Sequence, residues 1–119
     1  MSADVNEQLR ARYLSRARKT DQVILGSTGA NGDDEVVHLR EASAAVIDAY
    51  GKMGKDDPTR ALGFLLANSI IDYGGQRVFA DDDSAAILGM PFGDVKAITH
   101  AVLKLNGLSE DAADAAEKK

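Results

Sequence analysis

The chain contains no cysteine and no tryptophan, and only two of its 119 residues are proline. Without cysteine, neither disulfide bonds nor thiolate metal sites can stabilise the fold, so packing must do so. Apolar runs extend over only a few residues, whereas a membrane helix needs roughly 20. The N-terminal segment MSADVNEQLR lacks the apolar core of a secretory signal peptide. We therefore expect a soluble cytoplasmic protein with one domain and a modest hydrophobic core.

Basic residues are fewer than acidic ones, 14 against 19, which gives a net charge of −5. An acidic chain is unsuited to binding nucleic acid over its whole surface. Residues 1–20 nevertheless hold five basic and two acidic residues, or +3, which leaves −8 for the rest of the chain. Cations late in a helix complement its dipole, but the same segment could also bind a phosphate backbone or an acidic partner.

The N-terminal segment has helical periodicity. Val5, Leu9, Tyr13 and Ala17 recur every four positions, which predicts a basic amphipathic helix over residues 1–20, from about Asp4 to Lys19. Its apolar stripe is narrow. We therefore expect this helix to pack against another surface.

Two short β-branched runs, QVILG and EVVHL, follow this helix and are separated by STGANGDD. The glycines and the Asn-Gly pair between them are turn formers, so residues 22–39 are predicted to form a β-hairpin. The glycines at 26, 29 and 32 also suggest a phosphate-binding loop. Such a loop is followed at once by a helix and closed by Lys-Ser or Lys-Thr, whereas here a strand follows. We therefore favour the hairpin.

Two capped helices are predicted next. Ser43 caps a helix that ends at GKMGK, and Asp57 with Pro58 begins another, with the proline where its missing N–H is not needed. The second helix, TRALGFLLANSIID, is apolar over more than one face. Such a helix is either the central helix of the fold or has one face in the core and one offered to a partner. We favour a central helix.

The stretch IIDYGGQRVFADDDS follows the central helix. Gly74 and Gly75 are predicted to end that helix and reverse the chain, and Val78 and Phe79 to pack back onto the core. Asp81 to Ser84 are predicted to begin a short helix, because acidic side chains complement its free N–H groups. Three aspartates also suggest calcium, but an EF-hand loop from Asp81 would need glycine and glutamate where Ala86 and Phe92 stand. We expect no metal ion and no cofactor.

The last periodic segment predicts an amphipathic helix that stops at Asn106-Gly107, with Leu108 packing back as a closure. Residues 109–119 contain only alanine and polar or charged residues, so they are predicted to form a flexible charged tail. The predicted fold is mainly α with a small N-terminal β-hairpin (α+β), a compact helical domain over residues 21–108. Its predicted core consists of Val46, Tyr50, Leu62, Leu65, Leu66, Ile70, Phe79, Leu88, Val95, Ile98, Val102 and Leu105.

Candidate catalytic groups are scarce. His38 and His100 have no sequence neighbours that form a known nucleophile or base arrangement, and no Gly-x-Ser-x-Gly or His-Glu-x-x-His motif is present. The sequence therefore does not predict an enzyme.

Three segments carry a family resemblance: HLREASAAVIDAYGKM, LLANSIIDYGGQRVFADDDSAAILGM and VKAITHAVLKLNGLS. Their order resembles the tail assembly chaperones of long-tailed bacteriophages. That family is similar in a strand pair before a capped helix, an acidic turn after a central helix, and a last helix that closes in Leu-Asn-Gly-Leu. The resemblance covers residues 23–119, and segments 65–88 and 95–109 carry most of it.

The resemblance implies a non-enzymatic factor that holds the tape measure protein soluble while tail tube subunits polymerise, and that is absent from the mature virion. Members are commonly made in two lengths. The resemblance implies that this chain is the short form, and that a longer form made by programmed frameshifting recruits the tail tube protein. We also expect a homo-oligomer that acts in the host cytoplasm, without a membrane.

The hypothesis for the binding surface, for self-association or for the client, rests on apolar residues of the two helices: Phe64, Ala67 and Ile71, joined by Val5, Leu9 and Tyr13. Two alternatives remain open at this stage. One is a structural tail or head-tail connector protein that stays in the virion. The other is a small nucleic-acid-binding regulator that uses the basic first helix, although aromatic residues for base stacking are few.

Overall fold

Three antiparallel strands and five α-helices make up the part of the chain that the computed structural model describes, residues 2–26 and 34–108. The fold is α+β and mainly helical, as predicted. In chain order the elements are α1 (Ser2–Leu14), β1 (Thr20–Leu25), β2 (Glu35–Arg40), α2 (Ala44–Asp56), α3 (Pro58–Ser69), β3 (Ile70–Ile71), α4 (Ser84–Leu88) and α5 (Phe92–Leu105), with a 3-10 turn at Asp81–Asp83 before α4.

The predicted hairpin is confirmed. β1 and β2 pair antiparallel, with Val23 opposite Val37 and Gln22 opposite His38. Beyond the ladder, the Glu41 N–H donates to the Lys19 carbonyl at 2.8 Å. The turn between the strands, residues 27–33, lies outside the described residues, as does the predicted tail, residues 109–119.

A third strand, β3, was not predicted. The central helix ends at Ser69, and Ile70 and Ile71 pair with Leu39 and His38 of β2, which gives the sheet order β1-β2-β3. The prediction that these two isoleucines continue the helix is wrong. The backbone leaves the helix there because the edge of β2 supplies hydrogen-bond partners, and β-branched isoleucines suit a strand.

Both helix caps were predicted correctly. The Ser43 Oγ accepts a hydrogen bond from the Val46 N–H at 3.3 Å, and Asp57 Oδ1 accepts one from the Arg60 N–H at 3.1 Å. The predicted end of α2 at GKMGK, residues 51–55, is close to the observed one, because the helix runs through this stretch and ends at Asp56. A Cβ at Gly54 would lie 3.9 Å from the Ala61 Cβ, so this part of α2 packs closely against α3.

The core lies between the sheet and the helices α3, α4 and α5. Of the predicted core residues, five are buried: Leu65, Leu66, Ile70, Ile98 and Val102. Six are half-buried and pack against the buried cluster: Val46, Tyr50, Leu62, Phe79, Val95 and Leu105. Leu88 is half-buried and lines a surface pocket beside Arg60 and Ser84, while its neighbour Ile87 is fully buried. Leu39 of β2 is also fully buried and was not predicted.

The end of α5 follows the prediction closely. Gly107 has a φ of 66°, its N–H donates to the Lys104 carbonyl, and the Leu108 N–H donates to the Leu103 carbonyl at 2.9 Å. These two bonds form a Schellman motif, which satisfies carbonyls that the helix end would otherwise leave free. Asn106 Oδ1 also accepts a hydrogen bond from the Ala42 N–H at 2.7 Å, which ties α5 to the start of α2.

The first helix is shorter than predicted and does not pack as expected. α1 ends at Leu14, and residues 16–19 lead without regular structure into β1. Val5 and Tyr13 of the predicted stripe are exposed. No helix within the described residues spans a membrane by length and hydrophobicity.

Candidate functional site

The two faces of the sheet differ in what covers them. Alternate residues of a strand point to opposite faces, and directly paired residues share a face. Val23, Leu25, Val37 and Leu39 belong to the core cluster, so they define the inner face. The outer face therefore carries Thr20, Gln22, Ile24, Val36, His38, Arg40 and Ile71. Ile24 on this face is exposed.

A tight turn after β3 stands beside the outer face. Asp72 Oδ1 accepts hydrogen bonds from the Gly74 N–H at 2.8 Å and from the Gln76 N–H at 2.9 Å. Gly75 has a φ of 84°, a conformation that favours glycine. The predicted chain reversal at these glycines is confirmed, although it follows a strand and not the helix.

This turn presents Tyr73 to solvent. The side chain is 89% exposed, and its ring lies 4.6 Å from the ring of His38, centroid to centroid, at 59°. Arg40 Nη1 donates to the Gly75 carbonyl at 3.0 Å, which fixes the turn to β2. Tyr73 is therefore an exposed aromatic residue on a well-anchored loop, a combination common at binding surfaces.

An apolar groove of about 340 Å³ lies beside Tyr73, where β3 stops. Within the described residues, β2 pairs with β3 only at His38 and Leu39, so Glu35 to Val37 have no strand neighbour on that side. The lining consists of Leu25, Glu35, Val36, Val37, His38, Ile70, Ile71, Asp72, Tyr73, Val78, Phe79, Met90 and Ile98. Exposed Val78 and half-buried Phe79 form part of its wall.

A more polar groove of about 540 Å³ lies on the other side of Tyr73 and includes Thr20, Asp21 and Gln22. Together the two linings contain three carboxylates, Asp21, Glu35 and Asp72, and within the described residues neither contains lysine or arginine. We call this surface, the two grooves with Tyr73 between them, the sheet-face site. It is apolar at one end and acidic at its rim.

The structure divides the predicted binding residues. Ala67 is fully buried and belongs to the core cluster, whereas Ile71, which is 9% exposed, lies on the outer face of the sheet and lines both grooves. Phe64 is half-buried, as is Leu9, while Val5 and Tyr13 are exposed on α1.

The sequence interpretation missed Tyr73, and its prediction that Val78 packs onto the core is wrong, because Val78 is exposed beside the apolar groove. The sequence contained one indication of this. Tyr73 lies between Asp72 and two glycines, a turn-forming sequence in which an aromatic side chain cannot pack along a helix face. The sequence did not reveal strand β3, and it is the pairing of β3 with β2 that places the turn beside β2.

Two of the three consecutive aspartates, Asp81 and Asp83, have structural partners. Asp81 Oδ1 accepts from Arg77 Nη2 at 2.8 Å and from Asn68 Nδ2 at 3.1 Å. Asp83 Oδ2 accepts from the Ala80 N–H at 2.8 Å and so caps the turn that precedes α4. Over residues 2–26 and 34–108, no group of three or more potential metal-ligating side chains is present.

Comparison with solved structures gives a match to the tail assembly chaperone of bacteriophage HK97, with a TM-score of 0.58 and 17% sequence identity. The match covers 84% of this chain and 94% of that chain. The two proteins therefore share a fold along most of their length. No protein-family model matches the sequence, and no curated protein matches it.

Proposed function

We propose that the chain is a tail assembly chaperone of a long-tailed bacteriophage, a non-enzymatic factor that binds the tape measure protein and keeps it soluble. The observation that supports this most is the fold shared with the HK97 tail assembly chaperone over 84% of the chain. The sheet-face site is the second support, because it offers exposed apolar area without a recognisable catalytic arrangement in the described residues. Such a surface suits binding of another protein.

The client is a long helical chain, and its apolar stripes need cover until tube subunits surround them. Each copy of this small domain covers a short length, and many copies would bind along one client. Buried area and a few anchoring side chains would supply the affinity. Tyr73 and Val78 are the anchors that the structure offers, because both are exposed beside the apolar groove.

The remaining parts of the proposal concern assembly. A longer, frameshifted form of the chain recruits the tail tube protein, and the chaperone leaves before the virion is complete. It acts in the host cytoplasm. Mass spectrometry of purified virions separates this proposal from a structural tail or connector protein, because a chaperone is absent from the particle and a connector is present at fixed copy number.

We predict that the double substitution Tyr73→Asp and Val78→Asp abolishes co-purification with the tape measure protein. Two charges would then stand where apolar contacts are needed. Loss of an anchoring residue typically costs about 2 kcal/mol or more, about 30-fold in affinity. The measurement is affinity capture after co-expression, with soluble tape measure protein quantified by blotting.

Phe92→Asp is the matched control, because Phe92 is also an exposed aromatic residue, at 80%, and lies outside both grooves. We expect this variant to retain the client. Circular dichroism must show native helix content for all variants. Retention of the client by the double variant, or its loss by the control alone, would show that the sheet-face site is not the binding surface.

A further inference from the structure

The apolar groove of the sheet-face site lies at the edge of a strand. Leu25 and Ile98 in its lining belong to the core cluster on the inner side of the sheet. Val36 and His38, which also line it, belong to the outer face. A cavity that contacts residues of both faces must pass beside the main chain where the sheet stops. The groove therefore runs along the edge of β2 that β3 leaves free.

The hydrogen bonds of the hairpin show which main-chain groups of β2 point into the groove. The Glu41 N–H donates to the Lys19 carbonyl, and hydrogen-bonded pairs alternate with non-bonded pairs along an antiparallel ladder. Glu35 and Val37 therefore direct their N–H and C=O groups toward β1, whereas Val36 directs its own toward the groove. Within the described residues, these two groups of Val36 have no partner. A main-chain donor and acceptor are thus left for a ligand.

We infer that the groove binds an extended segment of the client by strand addition. About four residues of the segment pair antiparallel with Glu35 to Val37, in line with β3, where the helix of the client is interrupted. This inference rests on the proposed chaperone function and names the conformation that the site recognises. A helix satisfies its own main-chain groups and has none to offer Val36, whereas an extended strand does. The antiparallel direction matches the other strand pairs of the sheet.

Strand pairing also determines which side chains of the segment enter the groove. Residues opposite Glu35 and Val37 face the apolar core side of the groove, and the residue opposite Val36 faces outward. The groove volume of about 340 Å³ accommodates about two apolar side chains, since a cavity of roughly 150 Å³ holds a benzene-sized group. The site therefore selects apolar residues at a spacing of two, not at the helical spacing of three or four.

The charges of the groove favour basic residues at the ends of the segment. Its described lining contains the carboxylates of Glu35 and Asp72, and His38 is the one side chain there that can carry positive charge. Flanking lysine or arginine therefore complements the groove. One short strand buries far less than the roughly 1,200 Å² of a stable interface, so each contact is weak and reversible. Many copies along one client would hold it by avidity.

The test uses the full-length protein and a synthetic peptide, KVTVTVK, in which valines alternate with threonines. In the inferred arrangement the threonine amides point at β2 and the valine amides point away, because the outward-facing residue is the one paired with Val36. We expect the peptide to bind with a Kd of about 0.1–1 mM in a titration followed by NMR. N-methylation of both threonines should weaken binding about tenfold or more, and N-methylation of two valines less than about threefold.

A second peptide, KVTTVVK, has the same composition with its valines at helical spacing. We expect it to bind about fivefold or more weakly than KVTVTVK, because an extended strand cannot place all its valines on one face. These peptide arms leave the protein unchanged, so their outcome does not depend on the folding of a variant.

Two proline variants locate the edge that the strand joins. Val36→Pro removes the N–H that faces the groove and no hydrogen bond of the hairpin, so peptide binding should be lost while circular dichroism stays native. Ile24→Pro is the matched control. Ile24 lies opposite Val36 and directs its N–H to the outer edge of β1, so we expect this variant to bind as the wild type does.

Four results would overturn the inference: no binding of KVTVTVK at about 5 mM, equal sensitivity to methylation at threonine and valine, tighter binding of KVTTVVK, or loss of binding in Ile24→Pro alone. The last would place the added strand on β1. Sensitivity confined to valine methylation would refute the antiparallel direction. The experiment contains no tape measure protein, so its failure leaves the proposed chaperone function untouched. Peptide binding by a chain that does not capture the tape measure protein would conversely refute only that function.

Discussion

Gly63 shows how a single residue sets the distance between two helices. It is buried in α3, and a Cβ built on it would overlap Ser84 Oγ and lie 2.9 Å from Ser84 Cα. Ser84 begins α4 and its Oγ donates to the Arg60 carbonyl at 3.2 Å. The absence of a side chain at Gly63 therefore allows the start of α4 to lie against the backbone of α3.

We predict that Gly63→Ala destabilises the protein by about 2 kcal/mol or more, because overpacking a tight contact displaces backbone and not only a flexible side chain. The free energy of unfolding, from chemical denaturation, measures the effect. Gly51→Ala is the matched control.

Gly51 is exposed in the middle of α2, and no atom lies within 4 Å of the Cβ position. We expect alanine there to stabilise the protein by about 0.5–1 kcal/mol, since glycine is unfavourable inside a helix. Equal effects at the two glycines would show that close packing at Gly63 is unimportant.

The turn after β3 is the element that connects the fold to the proposed site. It places Tyr73 between the two grooves, and its shape depends on the two hydrogen bonds that Asp72 Oδ1 accepts. A carboxamide oxygen at the same position could accept both bonds, whereas a methyl group could not. The role of Asp72 in the turn is thus separable from its charge.

We predict that Asp72→Ala weakens client binding several-fold by loosening the turn, even though the change adds no charge to the surface. Asp72→Asn should keep the turn and most of the affinity. Titration of the purified variants against a soluble client fragment measures both. Equal affinity for wild type, alanine and asparagine variants would show that the turn does not position the contact.

Local chemistry determined which elements could be predicted from the sequence. The caps at Ser43 and Asp57 and the glycine end of α5 depend on neighbouring residues, and the structure confirms all three. Strand β3 depends on its pairing with β2, about 30 residues away in sequence. The helical periodicity of α3 continues through Ile70 and Ile71, so the pattern predicted helix there. The sequence therefore indicated the helices and hairpin but not the third strand, and the candidate site follows from that strand.

Contacts between different elements also explain the errors at helix ends. Glycines at 51 and 54 do not end α2, because packing of α2 on α3 outweighs their low helix propensity. α1 stops at Leu14 because the following residues lead into the ladder that Lys19 begins with Glu41. Ala67 and Ile71 were placed on a helix face by spacing alone, and the structure buries both.

At the scale of the whole molecule, the chain combines a well-packed helical side with an open sheet face and a first helix, α1, that is largely exposed. The helices α3 and α5 and the inner face of the sheet contain most of the buried residues. Within the described residues, the exposed apolar side chains include Ile24, Tyr73 and Val78 near the sheet and Val5, Tyr13 and Leu14 on α1. This distribution suits a protein that acts by covering the apolar surface of another chain.

The most direct test is hydrogen–deuterium exchange of the protein alone and mixed with its proposed client, the tape measure protein. We expect the complex to slow exchange at the amides of the β3 turn, residues 72–78, and at the start of β2. The exposed face of α2 should exchange as before. Unchanged exchange at residues 72–78, with protection confined to other elements, would contradict the claim that the open sheet face binds the client.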